Sequence, residues 1–207
     1  MLTARTTYSE ITGRFMAFRG AGMPRWILVT TLVTAAVVAA VAVRFGLSPV
    51  LPAVCCLAAA GVPLAFIDAR QHRLPDVVTL PSYPVSLLLL GVAALFMPGG
   101  PARFVHALIG MAVAVAFFAL LLLLSPTGIG LGDVKLAGPL GAYLGWLGAA
   151  AFVTGLMAAW LLAALTAVGL LLTRRATRKS EIPFGPFLVA GTLGAVLASG
   201  LAGAHFA

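Results

Sequence analysis

The chain has 207 residues, of which 62% are hydrophobic and only 9% charged, and its mean hydropathy is +1.12. That balance excludes an ordinary soluble globular domain and calls for lipid as the solvent. The formal net charge of +8 comes from basic residues that lie in short gaps between apolar runs of membrane length, so it reads as a topology signal and not as a nucleic-acid surface.

In chain order, residues 1–25 are basic with no strong period and are expected to form a cytoplasmic or interfacial tail, ahead of a single transmembrane domain over 26–207. Seven apolar runs follow, at about Trp26 to Val43, Val50 to Ile67, Val77 to Met97, Phe104 to Leu124, Val134 to Leu147, Gly148 to Leu172 and Phe184 to Leu201. The first run has 18 residues, longer than the roughly 7 to 15 of a secretory signal core, so it is read as an uncleaved span. Within the second, Cys55 and Cys56 are adjacent and offer neither a spaced CxxC zinc pair nor a disulfide framework; they are expected to be inert. The fifth and sixth runs are continuous and too long for one span, so two helices are expected, the fifth short or broken, with Gly145, Trp146 and Gly148 as the turn. The fold class is therefore an all-α polytopic membrane bundle of about seven transmembrane helices.

Orientation follows from the basic residues, which are retained in cytoplasmic loops. With the N-terminus cytoplasmic, the inside segments hold Arg5, Arg14, Arg19, Arg25, Arg70, Arg73, Lys135, Arg174, Arg175, Arg178 and Lys179, eleven of 13, and only Arg44 and Arg103 lie outside. Six or eight spans would spoil this alternation.

Only five acidic residues occur: Glu10, Asp68, Asp76, Asp133 and Glu181. Asp68 closes the second span and Asp133 opens the fifth, which puts both at the cytoplasmic end of the bundle although they are far apart in sequence. A carboxylate beside hydrocarbon is costly and asks for a reason. Taken alone, each is an ordinary cap or interfacial residue. Taken together, two carboxylates at one depth can share a proton, because two like charges a few ångströms apart cannot both ionise cheaply. That is the equipment for aspartic proteolysis, in which one partner deprotonates water and the other protonates the oxyanion. Gly128, Gly130 and Gly132 precede Asp133 and let backbone approach closely. Lys135 either favours a charged carboxylate nearby or snorkels to headgroups. Asp76 follows Pro75 and is expected to cap the third span. His72, His106 and His205 lie on three separate segments and no HExxH occurs, so no metal or other cofactor is expected.

Three stretches give these residues a common context: Ile67-Asp68 with Leu74-Pro75-Asp76, then Gly128 to Leu136, then Ile182-Pro183-Phe184-Gly185-Pro186-Phe187. In this combination and order the chain resembles the type IV prepilin peptidases, membrane aspartic proteases that carry a Gly-x-Gly-Asp signature. The resemblance implies that Asp68 and Asp133 are the catalytic pair. It also implies that Gly130, Gly132, Lys135, Pro183, Phe184, Gly185 and Pro186 support the site or bind substrate, and that the substrates are prepilin-like precursors cut at the cytoplasmic face of the plasma membrane. Two prolines and a glycine at the mouth of the last span leave backbone groups free for an extended peptide. Many bacterial members carry a large cytoplasmic loop with paired CxxC zinc motifs between their first two spans. Here only about six residues, Arg44 to Pro49, join them on the outer side. The chain is thus similar to a short form, and the resemblance gives no support for methyl transfer.

Two other classes of function use the same residues. A small proton- or cation-coupled transporter could relay ions through Asp68 and Asp133, but would place them near the midplane and show an inverted repeat; a non-catalytic assembly factor would keep the fold alone. Membrane lipid is the implied surrounding, nucleic acid is not an expected partner, and the sequence does not set an oligomeric state.

Overall fold

The computed structural model describes residues 25–72, 74–125, 129–173 and 183–201. Among them run seven α-helices: α1 Arg25–Phe45, α2 Leu51–Gln71, α3 Asp76–Phe96, α4 Gly100–Leu124, α5 Leu131–Leu147, α6 Ala149–Leu172 and α7 Gly185–Leu201. The expected all-α polytopic bundle is what forms, each helix within a few residues of its apolar run. Five of them, α1 to α4 and α6, are long and apolar enough to cross a membrane, while α5 and α7 have 17 residues each. At 1.5 Å per residue such helices reach roughly 25 Å, a little short of a hydrocarbon core of about 30 Å. The tail over 1–24, and with it Glu10, lies outside the described residues, as do Arg73, Gly128, Glu181, Ile182, His205 and the basic cluster Arg174, Arg175, Arg178 and Lys179.

The central helix is α5, in which twelve of 17 residues are buried and which touches α3, α4, α6 and α7. A helix that is apolar on every side has no polar stripe to mark its limits. This is why α5 and α6 form one unbroken run in the sequence. The turn between them is made by Gly148 alone, at φ 107°, with its N–H on the Gly145 carbonyl at 3.0 Å. Gly145 and Trp146, expected to share that turn, are instead buried in the last turn of α5. Gly145 serves packing: a Cβ there would run into the His106 carbonyl oxygen and lie 3.0 Å from the Gly110 Cα. Backbones of α4 and α5 thus meet through Gly110, Ala114, Gly141 and Gly145. In lipid no hydrophobic force drives helices together, and small residues four apart allow the close van der Waals contact that does. The α6–α7 contact repeats the device with Gly155 and Ala159 against Gly191 and Ala195.

Polar ties fix the register. The Tyr143 hydroxyl donates to the Ala53 carbonyl at 2.9 Å, joining the far end of α5 to the start of α2. The Tyr83 hydroxyl donates to the Lys135 carbonyl at 2.8 Å, joining α3 to the start of α5. The helices therefore alternate in direction, and the end of α2 and the starts of α1, α3, α5 and α7 gather at one end of the bundle. There the Arg70 guanidinium lies over the Trp26 ring, 5.3 Å from its centroid. His72 and His106 stand at opposite ends of the bundle, the one closing α2 and the other in the early turns of α4.

Candidate active site

Asp68 sits inside the last turns of α2, not beyond its end, and Asp133 is the third residue of α5. Both are buried, at 6% and 8% exposure. The end of α2 and the start of α5, which carry the two carboxylates, lie at the same end of the bundle. Burial of two acidic groups at one site is costly, so each needs local support.

Asp133 obtains it from its own chain. The segment before α5 is extended at Gly130, at φ −85° and ψ 156°, and the helix opens with the Asp133 N–H on the Gly130 carbonyl at 3.1 Å. The Asp133 Oδ2 turns back to accept the Gly130 N–H, also at 3.1 Å. An acid at the third helical position that satisfies the residue preceding the helix is half of a capping box. One carboxylate oxygen is thereby held, and the orientation of the group is set. Gly132 has another duty: a Cβ there would lie 3.1 Å from the Leu74 side chain, so the connection after α2 packs directly on the helix start that carries Asp133.

Asp68 is supported across helices. Leu188 and Phe187 donate to the Phe184 carbonyl at 3.1 and 3.0 Å, making Phe184 the residue that starts α7. Pro186 has no N–H, so Gly185 supplies the unused donor at that start. Gly185 lies against the Asp68 carboxylate, and a helix N-terminus carries the positive end of the dipole, which favours an anion. The approach is so close that a Cβ on Gly185 would lie 2.5 Å from Asp68 Oδ2. That oxygen is enclosed and has no hydrogen-bond partner among the described residues. Phe184 is anchored between Trp160 and Phe118, with ring centroids 4.9 and 5.7 Å away, which fixes where α7 begins. Pro183 and Pro186 flank this anchor and are half-buried.

Lys135 and Asp76 differ from their expected roles. The Lys135 ammonium neither serves Asp133 nor extends freely to headgroups; it grips both oxygens of Asp76, at 2.8 and 3.0 Å. Asp76 is the first residue of α3, with Pro75 in the capping position, and it makes no side-chain cap. Carrying a negative charge at a helix start remains favourable, but its partner is on another helix. Sequence reasoning did not single out Tyr83, whose ring fills the notch left by Gly138 while its hydroxyl holds the Lys135 carbonyl. A signal existed: Asp76 and Tyr83 are seven apart, which is one face of a helix. Cys55 and Cys56 are free thiols, half-buried on α2 and distant in sequence from this end of it.

The site thus has two buried carboxylates on separate helices, one fixed by its own helix start and one under the start of another. Residues 53–206 match the model of the type IV leader peptidase family. The prepilin leader peptidase/N-methyltransferase of Aeromonas salmonicida strain A449 is 36% identical over 132 residues, 61% of this chain and 42% of its own length. The protein of the same name in Pseudomonas aeruginosa is 32% identical over 186 residues, 88% of this chain and 61% of the relative. Leader peptidase HopD of Escherichia coli is 32% identical over 145 residues, 68% of this chain and 88% of the relative. The chain thus spans about two fifths of the first of these relatives. No solved structure matches it. The family match runs from the start of α2 through α7 and takes in both buried carboxylates, the glycines before Asp133 and the Pro183 to Pro186 stretch, and on that match the chain belongs to the type IV leader peptidase family.

Proposed function

We propose that the chain is a membrane aspartic endopeptidase that removes the leader peptide of type IV prepilin-like precursors, pilins or pseudopilins, at the cytoplasmic face of the plasma membrane. The observation that carries this reading is the buried Asp68 and Asp133 pair within a chain of this family. In the proposed reaction one carboxylate takes a proton from water as the water oxygen bonds to the scissile carbonyl carbon. The other, protonated, gives its proton to the carbonyl oxygen. The resulting diol collapses as the first group returns its proton to the amide nitrogen, the carbon–nitrogen bond breaks, and the second group recovers its proton from a diol hydroxyl. Either aspartate can take either role. The Gly185 backbone, at the start of α7 and beside Asp68, is placed to meet an extended peptide. The transporter alternative draws no support from the relatives, which are named as leader peptidases.

This reading needs no metal, so cleavage of a prepilin-like precursor by the lipid-reconstituted protein is expected to be unchanged by a strong chelator. Its rate across pH should fall where both carboxyls are protonated and again where both are ionised. Loss on chelation that zinc restores would overturn metal-free catalysis. The location is tested separately, with Cys55 and Cys56 first replaced. A cysteine at exposed Gln71 is expected to react with an impermeant thiol reagent only from the cytoplasmic side, and one at exposed Pro98 only from outside. Labelling of both from one side contradicts the orientation.

A further inference from the structure

The connection between α2 and α3 is short, and Leu74 within it and Asp76 at its end both reach α5. Immediately after Asp68 the helix ends at His72, whose N–H returns to the Asp68 carbonyl at 2.9 Å. His72 has φ 50° and is the one non-glycine residue with positive φ among the described residues. An L-residue held in that region marks a backbone path constrained by its surroundings. Leu74 then packs on Gly132, one residue before Asp133. Asp76 is gripped by Lys135, two residues after Asp133. The Tyr83 hydroxyl adds a tie from α3 to the Lys135 carbonyl.

We propose that the Asp76–Lys135 ion pair is a positioning element for the two carboxylates: it clamps the segment following Asp68 onto the first turns of α5 and so sets the separation of Asp68 from Asp133. The inference rests on the reading of those two residues as the catalytic pair. The two side chains are 40% and 55% exposed, and an ion pair so open to solvent contributes little to global stability. Its placement is what gives it effect. Asp68 and Asp133 sit on different helices, and the connection through 72–76 is the shortest covalent path by which α2 reaches α3, which in turn is fastened to α5 at Lys135. With the ion pair gone, Leu74 against Gly132 and the Tyr83 hydrogen bond still hold the helices together, but the α5 start is free to shift by fractions of an ångström. Proton transfer between positioned groups is sensitive to shifts of that size.

The test is made on the full chain in lipid, in a background with Cys55 and Cys56 replaced by Ala. Asp76→Asn and Lys135→Gln are each expected to lower kcat by roughly tenfold to a hundredfold, with KM and the unfolding temperature unchanged. The double variant should lose no more than either single one. Exchanging the charges, Asp76→Lys with Lys135→Asp, should restore part of the rate, although a cation at the start of α3 opposes the helix dipole. A second readout is independent of activity: spin labels at Gln71 and Leu131, both exposed, should give a distance distribution that broadens in the single variants and narrows again on charge exchange. Single variants with wild-type kcat, losses that multiply in the double variant, an unbroadened distribution, or a fall in unfolding temperature that accounts for the lost rate would each overturn the clamp. If the parent protein cleaves no prepilin-like precursor, the proposed function fails, and the label distances still decide the clamp.

Discussion

Asparagine in place of either Asp68 or Asp133 is expected to lower the rate of leader cleavage by about 10³-fold or more, each change alone removing most of what the pair contributes. The two losses should not multiply in the double variant, because the groups act as one unit. Stability should move the other way or not at all. Each substitution exchanges a buried carboxylate for a neutral amide of the same shape, and leaving out a buried charge relieves a desolvation cost. At position 133 the asparagine oxygen can still accept the Gly130 N–H, so the start of α5 is kept. A catalytic site that is held at a cost to the fold has this signature, lost activity with retained or raised unfolding temperature. Cleavage assays on both variants, alongside thermal unfolding in the same lipid, check it. Near-normal cleavage by either variant rules out the pair.

The second large effect is expected from a single methyl group. Alanine at Gly185 would place its Cβ 2.5 Å from Asp68 Oδ2 and 3.1 Å from Cγ. Backbone on the α7 side is pinned by Phe184 between Trp160 and Phe118, so the carboxylate, the free end of a side chain, is what moves. A displacement of about 1 Å at a reacting group costs on the order of 10²-fold in rate, while the helix itself gains a better helix former. Gly185→Ala should therefore lose about two orders of magnitude in kcat with little change in unfolding temperature. Gly194, in the same helix, has nothing within 4 Å of an added Cβ; Gly194→Ala serves as the control and should cleave normally. Equal losses in the two variants would mean that α7 responds to helix propensity and not to contact with Asp68.

The helices were legible because most apolar runs have the length that lipid demands, five of the seven helices being long enough to cross, and because the basic residues alternate between the ends of the runs. The boundary inside Val134 to Leu172 was legible only from its glycines, which placed it at Leu147 and Gly148, where α5 ends and the turn lies; composition gave no help, since α5 is enclosed on all sides and does not change character where it stops. The role of Gly145 was hidden for the same reason: a glycine that admits a neighbouring backbone and a glycine that makes a turn look alike in sequence, and only Gly148 has the positive φ. For the candidate site, Asp68 and Asp133 stood out as acids at the ends of apolar runs, and topology placed them at one end. Their supports were less readable. The contact of Gly185 with Asp68 and the grip of Lys135 on Asp76 both join residues far apart in the chain, and no local spacing encodes such pairs. Lys135 could be seen to stand beside Asp133 in sequence, but a side chain two positions along a helix points to another face. That is why its partner is Asp76.

The most direct measurement of the central claim is mass spectrometry of the products formed when the purified, lipid-reconstituted protein is incubated with an intact prepilin-like precursor, beside Asp68→Asn and Asp133→Asn prepared in the same way. Two products from a single cut, the basic leader and the mature subunit, are expected from the parent protein and from neither variant. An uncut precursor with the parent protein, or the same products from either variant, would contradict it.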